Sequence, residues 1–290
     1  MQITERILKI LAFNATYYTT TRMMIQEACL PSTGKDGCVA RKLLNELFHH
    51  GLINKTHMLV TNPDNGAAAP VYFPSRKGTE LLAQELRDDR WLHACTLAPN
   101  WQYLHHWCDI AKFHVALDRA VALQQEASVL GFLHEWDVAN PGERDPARRY
   151  RLFTEISDKP RLVCVPDAAF LLGYCGYKKV YYLEIDRNTS GLRQIAASKT
   201  PGYPALADGQ LHRRHFPETN VDAISVLSVS PTANRRDALQ RAIQPKEGAR
   251  LWKFLAWTDV RPETLLYEPI LRDHEGKAIP LLQRVGGTSP

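Results

Sequence analysis

Pro166-Asp167-Ala168-Ala169-Phe170-Leu171-Leu172, followed across a glycine-containing turn by Tyr181-Tyr182-Leu183-Glu184-Ile185-Asp186-Arg187, decides how this chain is read. Both runs are apolar and strand-like, and carboxylates gather at one end. Side chains alternate between the faces of a strand, so Glu184 and Asp186 share a face. If the runs pair as a hairpin, Asp167 lies across from them. Three acids on an otherwise apolar sheet would repel one another and resist burial. A divalent cation, Mg²⁺ or Mn²⁺, is one remedy, because both choose carboxylate oxygen. The other is a set of strand-end hydrogen bonds and salt bridges, with Arg161, Lys178 or Lys179 as partners.

Outward from this hairpin the pattern is mixed. An amphipathic helix is predicted over 103–125 and a strand over 129–138. A loop with clustered arginines occupies 140–149. Strands are predicted at Arg161–Leu172 and Val180–Arg187, then a helix at 190–199 ending on Lys199. A strand over 222–230, a helix at Asn234–Ile243 and a strand at Leu251–Thr258 follow. Helix, strands, helix and strand in this order predict an α+β or α/β mixed sheet flanked by helices. The segment 271–290 reads as an irregular tail, and 103–270 as one domain.

The first 90 residues read differently. Residues 4–14 place Ile7, Leu8 and Leu11 at helical spacing behind a Thr4 cap. A second helix fits 20–29. A third runs from Asp36 to His50 and stops at Gly51. Leu52–Val60 and Val71–Phe73 read as two strands joined by a flexible tip, and a fourth helix is predicted over 79–89. Three helices and a two-stranded ribbon make a winged helix-turn-helix pattern, in which the third helix enters the major groove. Lys35, Arg41, Lys42 and Asn45 are then the DNA-facing residues of that helix and its approach. Lys55, Arg76 and Lys77 flank the wing.

Composition sets bounds on these readings. The chain has 290 residues, 44 % hydrophobic and 23 % charged, with a formal net charge of +5. That is the profile of an ordinary globular protein, mildly basic and compatible with nucleic acid. No apolar run approaches the roughly 18 residues of a membrane helix, and residues 1–6 lack a signal peptide's character; the expectation is cytoplasmic. The six cysteines show no C-x-x-C pairing and read as free thiols. No His-apolar-His motif accompanies the tyrosines, which argues against a tyrosine-dependent relaxase.

Pro166-Asp167 on one strand and Glu184-x-Asp186 on the next resembles the Pro-Asp…(Asp/Glu)-x-Lys motif of the restriction-endonuclease fold. Here Asp186 stands where that motif has lysine, and Lys199 on the following helix is the residue to supply the cation. The wider pattern adds Leu104-His-His-Trp107 and Tyr182-Leu-Glu-Ile-Asp-Arg-Asn-Thr189, then Lys199 and Tyr203. It resembles the plasmid replication-relaxation family and is similar to the MobC-type conjugative relaxases. The resemblance implies a winged helix joined to a nuclease-like domain, with Asp167, Glu184 and Asp186 as metal ligands and Lys199 completing the site. It implies Mg²⁺- or Mn²⁺-dependent nicking of one strand at a plasmid transfer origin, with other relaxosome proteins and a coupling protein as partners. The alternative is a DNA-binding accessory protein whose nuclease-like domain is inert. A defence-type nuclease without origin preference is a third reading.

Overall fold

The computed structural model describes residues 2–31, 37–59 and 68–284. The chain divides into two compact units, Met1–Lys112 and Phe113–Pro290.

In the first unit, helix α1 (Glu5–Tyr17) starts under Thr4, whose hydroxyl accepts from Ile7 N–H, and buries Ile7, Ile10 and Leu11. Strand β1 (Thr20–Thr21) leads into helix α2 (Arg22–Cys29), and helix α3 spans Cys38–His49. The sequence places residues 20 and 21 in the second helix. Instead these β-branched threonines pair with a later strand, Thr20 opposite Tyr72, and Thr21 becomes the helix cap. Helix α3 buries Ala40, Leu44 and Leu47 against Ile10 and Ile25. Gly51, at φ +68°, closes it, with Leu52 N–H reaching back to the Leu47 carbonyl. A side chain at that left-handed position would be strained, so glycine fixes where the helix stops. Strands β2 (Ile53–His57) and β3 (Pro70–Pro74) pair antiparallel, and β1 completes a sheet of order β1-β3-β2. Helix α4 (Arg76–Leu86) begins three residues before its predicted start because Ser75 caps it at Gly78 N–H. Helix α5 (Leu104–Ala122) crosses the division between the units.

The second unit is built on a seven-stranded mixed sheet. Strand β4 (Ala127–His134) ends in a turn where His134 N–H donates to Asp137. Helix α6 (Pro146–Arg149) and strands β5 (Thr154–Ser157) and β6 (Leu162–Cys164) follow. Then come β7 (Ala168–Tyr174), β8 (Tyr177–Ile185), helices α7 (Leu192–Lys199), α8 (Gly202–Asp208) and α9 (His212–His215), and β9 (Ser225–Ser230). Helix α10 (Ala233–Ile243), β10 (Trp252–Ala256), β11 (Leu271–Arg272) and β12 (Ala278–Ile279) complete it. The sheet order is β12-β11-β10-β9-β8-β7-β4. Neighbours β8, β9 and β10 run parallel, joined through helices as parallel strands require.

The second unit departs from the sequence pattern at two places. The run Arg161–Leu172 is two strands, not one: β6 pairs with β5 in a separate ribbon, and only β7 joins the large sheet. Pro166 has no N–H for a ladder, so the chain changes sheet there. The segment from 271 is not wholly irregular, because β11 and β12 extend the sheet edge.

The β7–β8 hairpin turns at Cys175 and Gly176, both at positive φ, the backbone a two-residue hairpin turn demands. One face of the sheet packs Tyr182, Val226, Trp252 and Phe254 against Ala196, Tyr203 and Leu239 of α7, α8 and α10. On the other face, Phe170 lies between Phe132 and Tyr181, stacked on both. Strands β7 and β9 are buried along their whole length, as central strands covered on both faces must be. Among the described residues, no helix is long and apolar enough to cross a membrane.

Candidate active site

Hairpin register puts Ala168 opposite Leu183, which brings Asp167 level with Glu184. Asp167 sits at the entry to β7 with its backbone tied on both sides. Its N–H donates to the Leu183 carbonyl at 3.1 Å, and its own carbonyl accepts from Glu135 at 3.0 Å. Its Oδ2 accepts the Ile185 N–H at 2.7 Å. Glu184 lies next to the parallel strand β9, opposite Ser228. Both carboxylates are buried, at 8 % and 6 % exposure.

Lys199, the last residue of α7, comes between them. Its Nζ lies 2.8 Å from Glu184 Oε2 and 3.4 Å from Asp167 Oδ1, and donates to the Val165 carbonyl at 3.2 Å. Tyr203, in the first turn of α8, donates its hydroxyl to Glu184 Oε1. Gly202 makes that approach possible: a Cβ there would lie 3.0 Å from Cys164 Cβ and 3.1 Å from the Val163 carbonyl. Even a methyl group there would require α8 or β6 to give by a few tenths of an ångström, and a bulkier side chain would press α8 away from β6.

Burial pushes the Glu184 carboxyl up to about 7; Lys199 pulls it back and Asp167 adds to the rise. Burial acts to lower the Lys199 ammonium, but Asp167 and Glu184 outweigh it and hold the group above the ordinary lysine range. Burial, reinforced by Glu184 and Cys164, keeps the Tyr203 phenol protonated far above its usual value. The centre therefore consists of two acids, a cation held by both, and a phenol donor.

Asp186 does not meet the other two. Arg235 of α10 forks onto it, with Nε 2.7 Å from Oδ2 and Nη2 3.2 Å from Oδ1. Ser230 donates to Oδ2 at 3.2 Å and Asn188 N–H to Oδ1 at 2.8 Å. Among the described residues, Asp167, Glu184 and Asp186 do not form a set with ligand atoms within 4.8 Å of one another. The salt-bridge partner of Asp186 is Arg235, not Arg161, Lys178 or Lys179; the two lysines lie at the far end of β8, Lys178 exposed and Lys179 half-buried.

Sequence alone cannot sort the remaining basic residues, and the structure does so. Arg149 donates to the Pro141 and Glu143 carbonyls, Arg213 pairs with Asp222, and Arg236 pairs with Asp237 and Asp259. These brace loops and helices. Arg148, Arg151 and Arg214 instead line a cleft of about 510 Å³ together with Tyr150, Phe153 and His215.

In the first unit, Arg41, Lys42 and Asn45 lie on the exposed side of α3, opposite its buried Ala40, Leu44 and Leu47. Lys55 stands over the Phe48 ring at 4.4 Å. Arg76 pairs with Glu80 at 2.9 Å, and Lys77 donates to the His50 carbonyl at the end of α3. Both are exposed. Lys35 and the tip of the β2–β3 ribbon fall outside the described residues.

No curated relative and no solved structure matches the chain. The model of one family, described as replication-relaxation, matches residues 16–219, well over half the length. That span takes in α2 through α9, the β7–β8 hairpin, Asp167, Glu184, Lys199 and Tyr203. The chain belongs to the replication-relaxation family.

Proposed function

We propose that this member of the replication-relaxation family is a metal-dependent endonuclease of the MobC type, which nicks one strand at a plasmid transfer origin. The observation that carries the reading is the Lys199 ammonium held between Asp167 and Glu184 at the end of a sheet. Asp167 Oδ1 and Glu184 Oε2 face one point of positive charge, and paired carboxylate oxygens are the donors Mg²⁺ and Mn²⁺ choose. The pair therefore fits a divalent cation, with Asp167 and Glu184 as its holders and Asp186 outside the set. Such a cation supplies a water of lowered pKa and charge neutralisation at the phosphate.

The protein's own groups do the rest. Asp167 is fixed by the Ile185 N–H, so its other oxygen, the one that meets Lys199, keeps one direction. Tyr203 fixes Glu184 in the same way through Oε1. Lys199 is the most exposed of the three charged groups, with 34 % of its side chain accessible, and is the cation nearest an incoming phosphodiester. Its charge stabilises a phosphate whose negative charge grows during cleavage. In the other unit, the α3 surface with Arg41, Lys42 and Asn45, beside the β2–β3 ribbon, suits a winged helix reading duplex DNA.

A second reading is favoured by one observation. Every carboxylate oxygen of Asp167, Glu184 and Asp186 already accepts a hydrogen bond or ion pair within the protein. A site satisfied internally suits a DNA-binding accessory protein with an inert centre. The experiment that separates the two uses the purified full chain, supercoiled plasmid carrying the cognate origin, and Mg²⁺ or Mn²⁺. The endonuclease reading expects open-circular product only with metal, abolished by Asp167→Ala and by Glu184→Ala. Origin binding without open-circular product under any divalent metal makes the accessory reading the function.

A further inference from the structure

The cleft lined by Arg148, Tyr150, Arg151, Phe153, Arg214 and His215 lies apart from the acidic centre but is joined to it through packed rings. His215 Nδ1 is bonded to the Tyr182 hydroxyl at 2.8 Å, and its Nε2 to the Thr154 hydroxyl at 3.1 Å. Tyr182 packs on Tyr203, centroids 5.7 Å apart, and Tyr203 donates to Glu184. The cleft thus opens two rings away from the carboxylates.

Its chemistry is specific in kind. Three arginines contribute exposed guanidinium groups. Arg148 leans on Asp145 at 3.8 Å and Arg151 lies in the field of Asp137, but among the described residues neither Arg151 nor Arg214 forms a close ion pair. Tyr150 and Phe153 are half-buried, so each offers ring surface without being part of the core. A volume of about 510 Å³ is in the range of small-ligand sites. Guanidinium groups beside aromatic rings suit a phosphate and a base together, as in proteins that hold single strands. A duplex keeps its bases stacked inside and offers only phosphate to such a cleft.

We propose that this cleft holds one nucleotide unit of single-stranded DNA, its base against Tyr150 or Phe153 and its phosphate on Arg151 and Arg214. For the ligand class, the proposal rests on the DNA reading above. It deepens that reading: one strand next to the acidic centre would be gripped unpaired, while duplex is bound by the first unit.

The test measures fluorescence anisotropy of the full chain with a labelled single-stranded oligonucleotide and, separately, with duplex origin DNA, over a salt series. Arg151→Ala/Arg214→Ala should weaken single-strand binding roughly tenfold or more and lower the salt slope by roughly 0.7 per arginine removed. Tyr150→Leu should weaken it at unchanged slope, and Tyr150→Phe should restore it. Duplex binding should move little in all three. Single-strand affinities equal to wild type in both the double arginine variant and Tyr150→Leu would overturn the proposal. So would a free deoxynucleoside monophosphate binding more tightly than the oligonucleotide, since the cleft would then serve a metabolite. Nicking measured in parallel separates the two ideas. Nicking with single-strand binding indifferent to these variants removes the cleft proposal alone; variant-sensitive binding without nicking removes only the endonuclease reading.

Discussion

Arg235 grips Asp186 through two nitrogens, at 2.7 and 3.2 Å, and the same guanidinium donates to the Ser190 carbonyl at 2.7 Å. Asp186 thus ties the end of β8 to the start of α10 and to the loop before α7. A carboxylate engaged in this way is not available as a third metal ligand without breaking the fork. The aspartate at position 186 therefore has a structural role in this chain.

Removing Arg235 leaves a buried carboxylate without its cation. Arg235→Ala is expected to cost about 3 kcal/mol of stability, read by urea or thermal unfolding. Asp186→Ala/Arg235→Ala should recover part of that loss, because no buried charge is then orphaned. Equal losses in the single and double variants would contradict the pairing.

Lys199 carries the corresponding role for Asp167 and Glu184. Lys199→Met is expected to cost about 2 kcal/mol near pH 8, less than a fully dry pair because 34 % of the side chain is exposed. The cost should shrink toward pH 5.5. Glu184, already raised to about 7, takes up a proton in that window and relieves the repulsion with Asp167. A raised folded-state value means stability is present below the unfolded carboxyl value and is lost as pH rises through 7. The variant should steepen that loss; a pH-independent difference from wild type would count against it.

His215 sets the acid side. Burial, helped by His212 and Arg214, lowers its pKa to about 4, against about 6.5 in an unfolded chain. Its contribution is present above pH 6.5 and is lost as pH falls toward 4, on the order of 3 kcal/mol in all. His215→Gln keeps a donor and an acceptor for Tyr182 and Thr154 but cannot take up the proton. Between pH 7 and pH 4 it should therefore lose less stability than wild type by about that amount.

Arg41→Ala and Lys42→Ala lie on the exposed side of α3 and should leave folding unchanged. Each should weaken origin-duplex binding and lower the salt slope by about 1. Variants whose salt slopes match wild type would remove α3 from the DNA interface.

The central hairpin was legible in the sequence because its signals agree. Strand alternation, the glycine turn and the facing acids all specify one register, and the structure places Asp167 level with Glu184 as that register requires. Helix ends marked by Thr4 and Gly51 were legible for the same reason. What the sequence hid was non-local. Arg235 stands 49 residues from Asp186 and reaches it only because β8 and β9 lie parallel with α10 following β9. The split at Pro166 depended on β5 offering β6 a different partner. The strands at 271–272 and 278–279 are too short for any period to show; they form because the β10 edge is there to pair with.

The most direct measurement is an anomalous difference map from crystals of the full chain soaked in MnCl₂. The account predicts one peak bonded to Asp167 and Glu184, Lys199 Nζ withdrawn from between them, and Arg235 still forked on Asp186. A peak on Asp186 with that fork broken would contradict it. So would the absence of any peak with Lys199 still joining both carboxylates.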